Sequence, residues 1–198
     1  MCAVLNYSDM CVRVAVKLWI LFFLMFCSNS IQAQKVAVST NLLDYVNFGT
    51  INAEIGLGLS QHFSIYVQGR YNPFEYKFVR GSRQINNKQL TAALGVKYWL
   101  WHTYSGLFVS GQVGCSRYNR GGIISDTTYE GDAVGMTLGA GYALMLKEHL
   151  NLDFGVGIMG GYTHYTRYSC PSCGRIENKG TRMFLAPDNV LVQLSYLF

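Results

Sequence analysis

Apolar residues recur at every second position over most of the chain. From 133 to 146, Val134, Met136, Leu138, Ala140, Tyr142, Leu144 and Leu146 share one face. Ala133, Gly135, Thr137, Gly139, Gly141 and Ala143 share the other. From 150 to 163, Leu150, Leu152, Phe154, Val156, Ile158 and Tyr162 alternate with Asn151, Asp153, Gly155, Gly157, Met159 and Gly161. Near the end, Val190, Val192, Leu194, Tyr196 and Phe198 alternate with Leu191, Gln193, Ser195 and Leu197. Weaker versions of the pattern run through 36–42, 51–60, 63–71, 90–98 and 107–116. A period of two belongs to strands whose faces meet different surroundings, whereas a helix repeats at about 3.6. The pattern therefore predicts eight strands of about 8–14 residues, and no helix after residue 35.

The connections alternate too. Short ones fall at 60–62, 102–106 and 147–149, and long ones at about 72–89, 118–132 and 164–187. Short turns at one end and long loops at the other are the layout of an up-and-down transmembrane barrel with an even number of strands. The expected fold is thus all-β, an eight-stranded antiparallel barrel over 34–198. Eight strands enclose room for side chains only, so bulky residues such as Leu152, Phe154 and Ile158 fit better pointing outward to lipid. Glu54, Arg70, Lys97 and Asp153 then point into the barrel, where charges should pair because an isolated buried charge is costly. Two aromatic girdles are expected. Tyr98, Trp99, Trp101, Tyr104 and Phe198 would form the one near the short turns. Tyr71, Phe74, Tyr76, Tyr118, Tyr162, Tyr165 and Tyr168 would form the other.

Composition agrees. Only 14% of the residues are charged, against 21 Gly and 14 Tyr. Such a chain is too apolar for disorder. The first 33 residues read as a cleaved signal peptide: Arg13 and Lys17, an apolar run from 18 to 27, then small residues up to Ala33. Counting from Met10 rather than Met1 gives a leader of more usual length. Phe26 argues against a lipoprotein built on Cys27. Losing Asp9, Arg13 and Lys17 with the leader takes the net charge from +5 to +4.

The last strand resembles the C-terminal signal of bacterial outer-membrane barrels. The resemblance implies that the barrel assembly machinery reads Val190, Val192, Leu194, Tyr196 and Phe198. Three further stretches are more specific: STNLLDYVNFGTINAEIGLGL (39–59), GRYNPFEY (69–76) and YTRYSCPSCGR (165–175). With ALGVKYWLW, they resemble a domain-of-unknown-function family of small outer-membrane barrels from Bacteroidota, distantly like OmpA and OmpX and often encoded beside fimbrial genes. Asp44 with the Val-Asn-Phe after it, and Asp188-Asn189-Val190, depart from that family's pattern. The resemblance implies no activity.

Candidate chemistry is sparse. Cys170 and Cys173 form a CxxC that exported chains use as a disulfide. A structural zinc site needs four ligands, and no second CxxC exists. Cys115 is left over as an inert outward thiol. His62, His102 and His149 fall in separate short turns. His164 and Ser169 could serve a lipid A-modifying enzyme only with an acid, and none has a fixed spacing to them. No enzyme, cofactor or metal is expected.

Basic residues are more informative. Lys77, Arg80 and Arg83 crowd one long connection, and Arg167, Arg175, Lys179 and Arg182 another. Arg forks match phosphate geometry, so these residues are candidate contacts to lipopolysaccharide or another anionic surface. The expected partners are outer-membrane lipid and lipopolysaccharide, the assembly machinery, and a fimbrial or other surface protein. No groove-reading motif supports nucleic acid. The expected role is structural or adhesive. The alternatives are a narrow channel, with Gly135, Gly139, Gly141, Gly155 and Gly157 leaving lumen space, and a lipid A-modifying enzyme.

Overall fold

The computed structural model of the chain describes residues 36–77, 84–121, 127–169 and 176–198. The leader expected at 1–33, the disulfide expected between Cys170 and Cys173, and Arg80, Arg83 and Arg175 lie outside the described residues. Among the described residues, nine strands form one sheet. They are β1 (Val36–Asn41), β2 (Ile51–Gly58), β3 (Phe63–Asn72), β4 (Glu75–Lys77), β5 (Gln84–Trp99), β6 (Gly106–Gly121), β7 (Thr128–Lys147), β8 (Leu150–Tyr168) and β9 (Ile176–Leu197). All pairings are antiparallel. β3 also pairs with β5, and β1 pairs with β9, so eight strands close into a ring. β4 is the extra strand, continuing β3 beyond Pro73 along the start of β5.

Closure runs from Ala37 opposite Leu197 to Asn41 opposite Gln193. The Phe198 amide adds a bond to the Val36 carbonyl at 2.8 Å. Pairing both sheet edges leaves no open ladder over this stretch. The period of two becomes burial. On β3, Ser64, Tyr66, Gln68, Arg70 and Asn72 are buried, while Phe63, Val67 and Tyr71 are exposed. On β5, Ala93, Lys97 and Trp99 are buried, while Leu90, Leu94, Val96 and Tyr98 are exposed. Polar residues thus face in and apolar ones face out.

The apolar core is small and sits at the short-turn end. It contains Trp99, Tyr104, Phe108, Leu191 and Leu197 with Ala37 and Ala143. Trp99 is 1% exposed. Its indole N–H donates to Ser64 Oγ at 2.9 Å, and its ring lies 4.9 Å from Phe108 and 5.5 Å from Tyr104. The expected girdles are corrected here: Trp99 and Tyr104 are core residues, and Tyr118 turns inward to share a hydrogen bond with Thr163 Oγ1 at 2.7 Å. Tyr98, Trp101, Phe198, Tyr71 and Tyr162 do face outward.

Three other departures have physical causes. The long loops are mostly strand: β5 begins at Gln84, β6 runs to Gly121, β7 begins at Thr128, β8 runs to Tyr168 and β9 begins at Ile176. Ladder pairing continues there after the hydrophobic alternation has faded, because backbone groups still need partners. Second, a five-residue helix, α1 (Leu42–Val46), follows β1. Asn41 caps it by accepting from the Leu43 amide at 3.2 Å. One turn is too short to produce a periodic signal. Third, β9 has a bulge: Val156 faces Val190 but Ile158 faces Pro187. The extra residue reverses in and out. Arg182, Phe184 and Ala186 line the lumen above the bulge, and Leu191, Gln193 and Ser195 are buried below it.

Trp99 fills the base of the ring and satisfies its own N–H there. Trp99→Ala should cost about 3–5 kcal/mol, read as a lowered urea midpoint for loss of the compact, heat-modifiable band in detergent micelles. Trp99→Phe should lose markedly less. Equal losses would show that the ring's packing does not matter.

Candidate functional site

The lumen is layered. Its base is the aromatic cluster around Trp99, closed from below by the turn at 100–105. Tyr104 in that turn has φ 65°, a region side-chain-bearing residues seldom adopt. Asn151 holds it by donating Nδ2 to the Tyr104 carbonyl at 2.6 Å. Burial, and after it the Glu54 and Asp153 carboxylates, push the Tyr104 phenol above the ordinary tyrosine range, so it stays protonated.

Above the base lies a charged layer. Lys97 Nζ donates to Glu54 Oε1 at 2.5 Å, and both side chains are buried. The ammonium also lies 4.7 Å from the Tyr66 ring centre and 5.5 Å from that of Phe108. Tyr66 donates its hydroxyl to Gln112 Oε1 at 3.0 Å. Its ring lies across Gly95, where a Cβ would come within 2.6 Å of the phenol oxygen. Asp153 Oδ2 accepts from Ser195 Oγ at 2.7 Å. Arg70, higher up, pairs with Asp44 of α1 at 3.2 Å. Of the four charges placed inside by the alternation, two therefore pair with each other. The other two find Ser195 and Asp44, which the sequence reading did not link to them.

The upper lumen is a cavity of about 430 Å³ at the end away from the aromatic base. Gln68, Gln89 and Gln112 supply amides to its wall, and Thr91, Ser116 and Thr163 supply hydroxyls. Tyr118, Tyr129 and Phe184 supply ring surface. Three arginines line it, Arg70, Arg120 and Arg182, and among the described residues its lining contains no Asp or Glu. Arg120 donates Nη2 to Gln89 Oε1. The Arg182 guanidinium lies 5.1 Å from the centre of the Tyr165 ring. Beside Glu54 and Lys97 lies a second space of about 20 Å³, room for one water.

Three of the five glycines expected to leave a conducting lumen have neighbouring side chains in that space. A Cβ on Gly141 would meet the Phe108 ring at 2.5 Å. One on Gly139 would meet Ser110 Oγ at 2.9 Å, and one on Gly135 would meet Met159 Cε at 2.8 Å.

The basic residues expected to act as one outer set divide. Arg167 pairs with Glu177 at 3.0 Å, and Lys179 is exposed. Lys77 is placed on β4. Arg182 instead turns to the lumen mouth, because the bulge reverses its face. Arg120 joins it there. Parity carried the signal, since Gln112, Gly114, Ser116, Tyr118 and Arg120 share one face of β6. Arg117 lies on the outward face and bonds Asp132 Oδ1 at 2.9 Å. His164 faces Asp132 across the ladder and bonds Thr181 Oγ1 at 2.9 Å. Ser169 lies five residues further along the chain, roughly 16 Å away at strand rise, too far to pair with His164. Cys115 is a free, exposed thiol. The outward face of the last strand carries Val190, Val192, Leu194, Tyr196 and Phe198, with the last two rings edge to face at 4.9 Å.

Fold and lumen together define a small closed β-barrel with an aromatic base and a polar vestibule. The chain matches the family described as "Protein of unknown function (DUF3575)" over residues 19–198, and it belongs to that family. No curated protein and no solved structure matches it.

The Lys97–Glu54 pair makes a quantitative prediction. Breaking a buried pair from one side leaves an uncompensated charge, at a cost of about 3–5 kcal/mol. Lys97→Met should therefore destabilise the refolded barrel by that order in a urea titration. Adding Glu54→Leu should restore part of the loss. Additive losses in the double-mutant cycle would show that the two side chains are not coupled.

Proposed function

We propose that the chain is an outer-membrane barrel, exported by its leader at 1–33, that crosses the membrane with its strands and serves as a non-conducting surface-interaction module. The observation that carries this reading is the inverted polarity. Soluble proteins seldom expose apolar patches larger than a few hundred Å². Here Val67, Leu94, Val113, Leu138, Ile158 and Leu185, from six different strands, are all about half exposed or more. The outward run from Val134 to Leu146 covers twelve residue steps of β7. At the usual rise and tilt that is a height of about 30 Å, close to the roughly 25 Å apolar band of such barrels. Among the described residues no helix is long and apolar enough to cross a membrane.

Phe63 packs on Tyr98 at 5.0 Å, and Tyr196 on Phe198, at the short-turn border of this band. Aromatics are favoured where lipid meets headgroups. At the opposite border the outward face changes to Arg117, Asp132, His164 and Thr181, which face one another in register. The loop end, with Arg167 and Lys179, then meets the cell exterior, where lipopolysaccharide and a fimbrial or other adhesive surface protein are the proposed partners. Val190, Val192, Leu194, Tyr196 and Phe198 are proposed as the face read by the assembly machinery. The channel reading is weaker, because aromatic rings fill the lower lumen.

The protein should fractionate with the outer membrane and shift mobility on heating. Phe198→Ser should lower its outer-membrane level severalfold by quantitative blot; an unchanged level would remove the assembly role. In planar bilayers the inserted barrel should be silent, and discrete conductance steps would reinstate the channel.

A further inference from the structure

We propose that the vestibule is a binding pocket for a small anionic saccharide, a sugar carrying a carboxylate or phosphate. A volume of about 430 Å³ falls in the range of real ligand sites, roughly 300–1,000 Å³. The cavity is a dead end, because the Glu54–Lys97 layer and the aromatic base lie beneath it. Whatever enters leaves by the same mouth, which suits binding rather than passage.

Its chemistry is specific. Three arginines and, among the described residues, no Asp or Glu line it. An anion therefore meets fork-shaped donors at the mouth, from Arg120 and Arg182, while Arg70 below them already pairs with Asp44. Guanidinium forks hold carboxylates and phosphates through two parallel bonds. Between them the wall offers amides and hydroxyls, which match the donor and acceptor pairs of sugar hydroxyl groups. Tyr118, Tyr129 and Phe184 add flat apolar faces for the C–H face of a sugar ring. A fatty chain would cover these groups without answering their remaining hydrogen-bonding capacity, at a cost for each.

Several wall groups are already held. Gln112 is fixed by Tyr66, Arg120 bonds Gln89, and Arg70 is braced by Asp44. Side chains fixed before binding lose less freedom on binding. The pocket depends only on the barrel. That its mouth faces away from the cell rests on the outer-membrane reading, which fractionation tests separately, so the two can fail independently.

The test is calorimetric titration of the refolded full mature chain in detergent. Two anionic probes cover the two sources: core oligosaccharide released from the cell's own lipopolysaccharide, and digalacturonate as a free acidic sugar. Maltose is the neutral control. At least one anionic probe should bind at one site per chain, about tenfold or more tighter than maltose. Arg182→Gln and Arg120→Gln should each weaken that binding by about tenfold or more. Arg117→Gln removes the same charge from the outer face and should leave binding within about twofold. Heat-modifiability of each variant confirms the closed barrel. Binding of only one anionic probe supports the pocket and identifies its source. The proposal is overturned if neither anion binds, if maltose binds equally well, or if Arg117→Gln weakens binding as much as Arg182→Gln does.

Discussion

A ring of eight strands encloses space for side chains and little else, and that limit decides what each inward position can hold. In the lower half, every large inward group needs a small neighbour. Phe108 uses the space at Gly141, and Tyr66 that at Gly95. Charge obeys the same restriction. Lys97 cannot reach bulk water from the middle of the ring, so its ammonium must meet Glu54 and the Tyr66 ring where it stands. A buried pair of this kind adds little net stability compared with a well-packed apolar core, yet it makes the loss of either partner expensive. The layer is therefore rigid in composition rather than strong.

The ring is not equally tall all round. β1 has six residues and β2 eight, whereas β8 has nineteen and β9 twenty-two. β1 can pair with β9 only up to Asn41. There the Asn41 side chain takes over from the ladder. Its Oδ1 accepts from the Val192 amide at 3.2 Å and its Nδ2 donates to the Val190 carbonyl at 3.4 Å, while Oδ1 also caps α1. The helix then packs beside β9 and sends Asp44 to Arg70. One asparagine thus joins the end of a strand, the start of a helix and the wall of the vestibule. The bulge in β9 completes that wall by turning Arg182, Phe184 and Ala186 inward.

The alternation made the strands, their number and their inward faces legible, because polarity and parity coincide wherever one face is apolar. It failed where they separate. Above the apolar band both faces are polar, so paired strand read as loop. At the bulge parity reverses without any local sign except Pro187, which is tolerated in sheets at such irregularities. Aromatic residues misled for another reason. Trp99 shares parity with Lys97, and Tyr118 with Gln112, so both were legible as inward. Grouping them by their nearness to the turns concealed it. The vestibule was illegible because its lining comes from six strands distant in sequence, joined only by register.

The two halves of the lumen consequently suit different tasks. In the lower half, several interior groups pair with one another. Indole meets hydroxyl, ammonium meets carboxylate, and phenol meets amide. In the upper half, the same eight-stranded ring carries shorter inward groups, Thr91, Ala93, Gly114, Ser116 and Ala133, and the space left over becomes the cavity. On β6 and β7, where the ladders continue unbroken between the two halves, the difference lies in side-chain size rather than in backbone geometry. Small inward residues above a filled base make a pocket with one entrance. The arginines at that entrance then decide which ligands gain from entering, since a neutral solute finds hydrogen bonds there but no charge to answer.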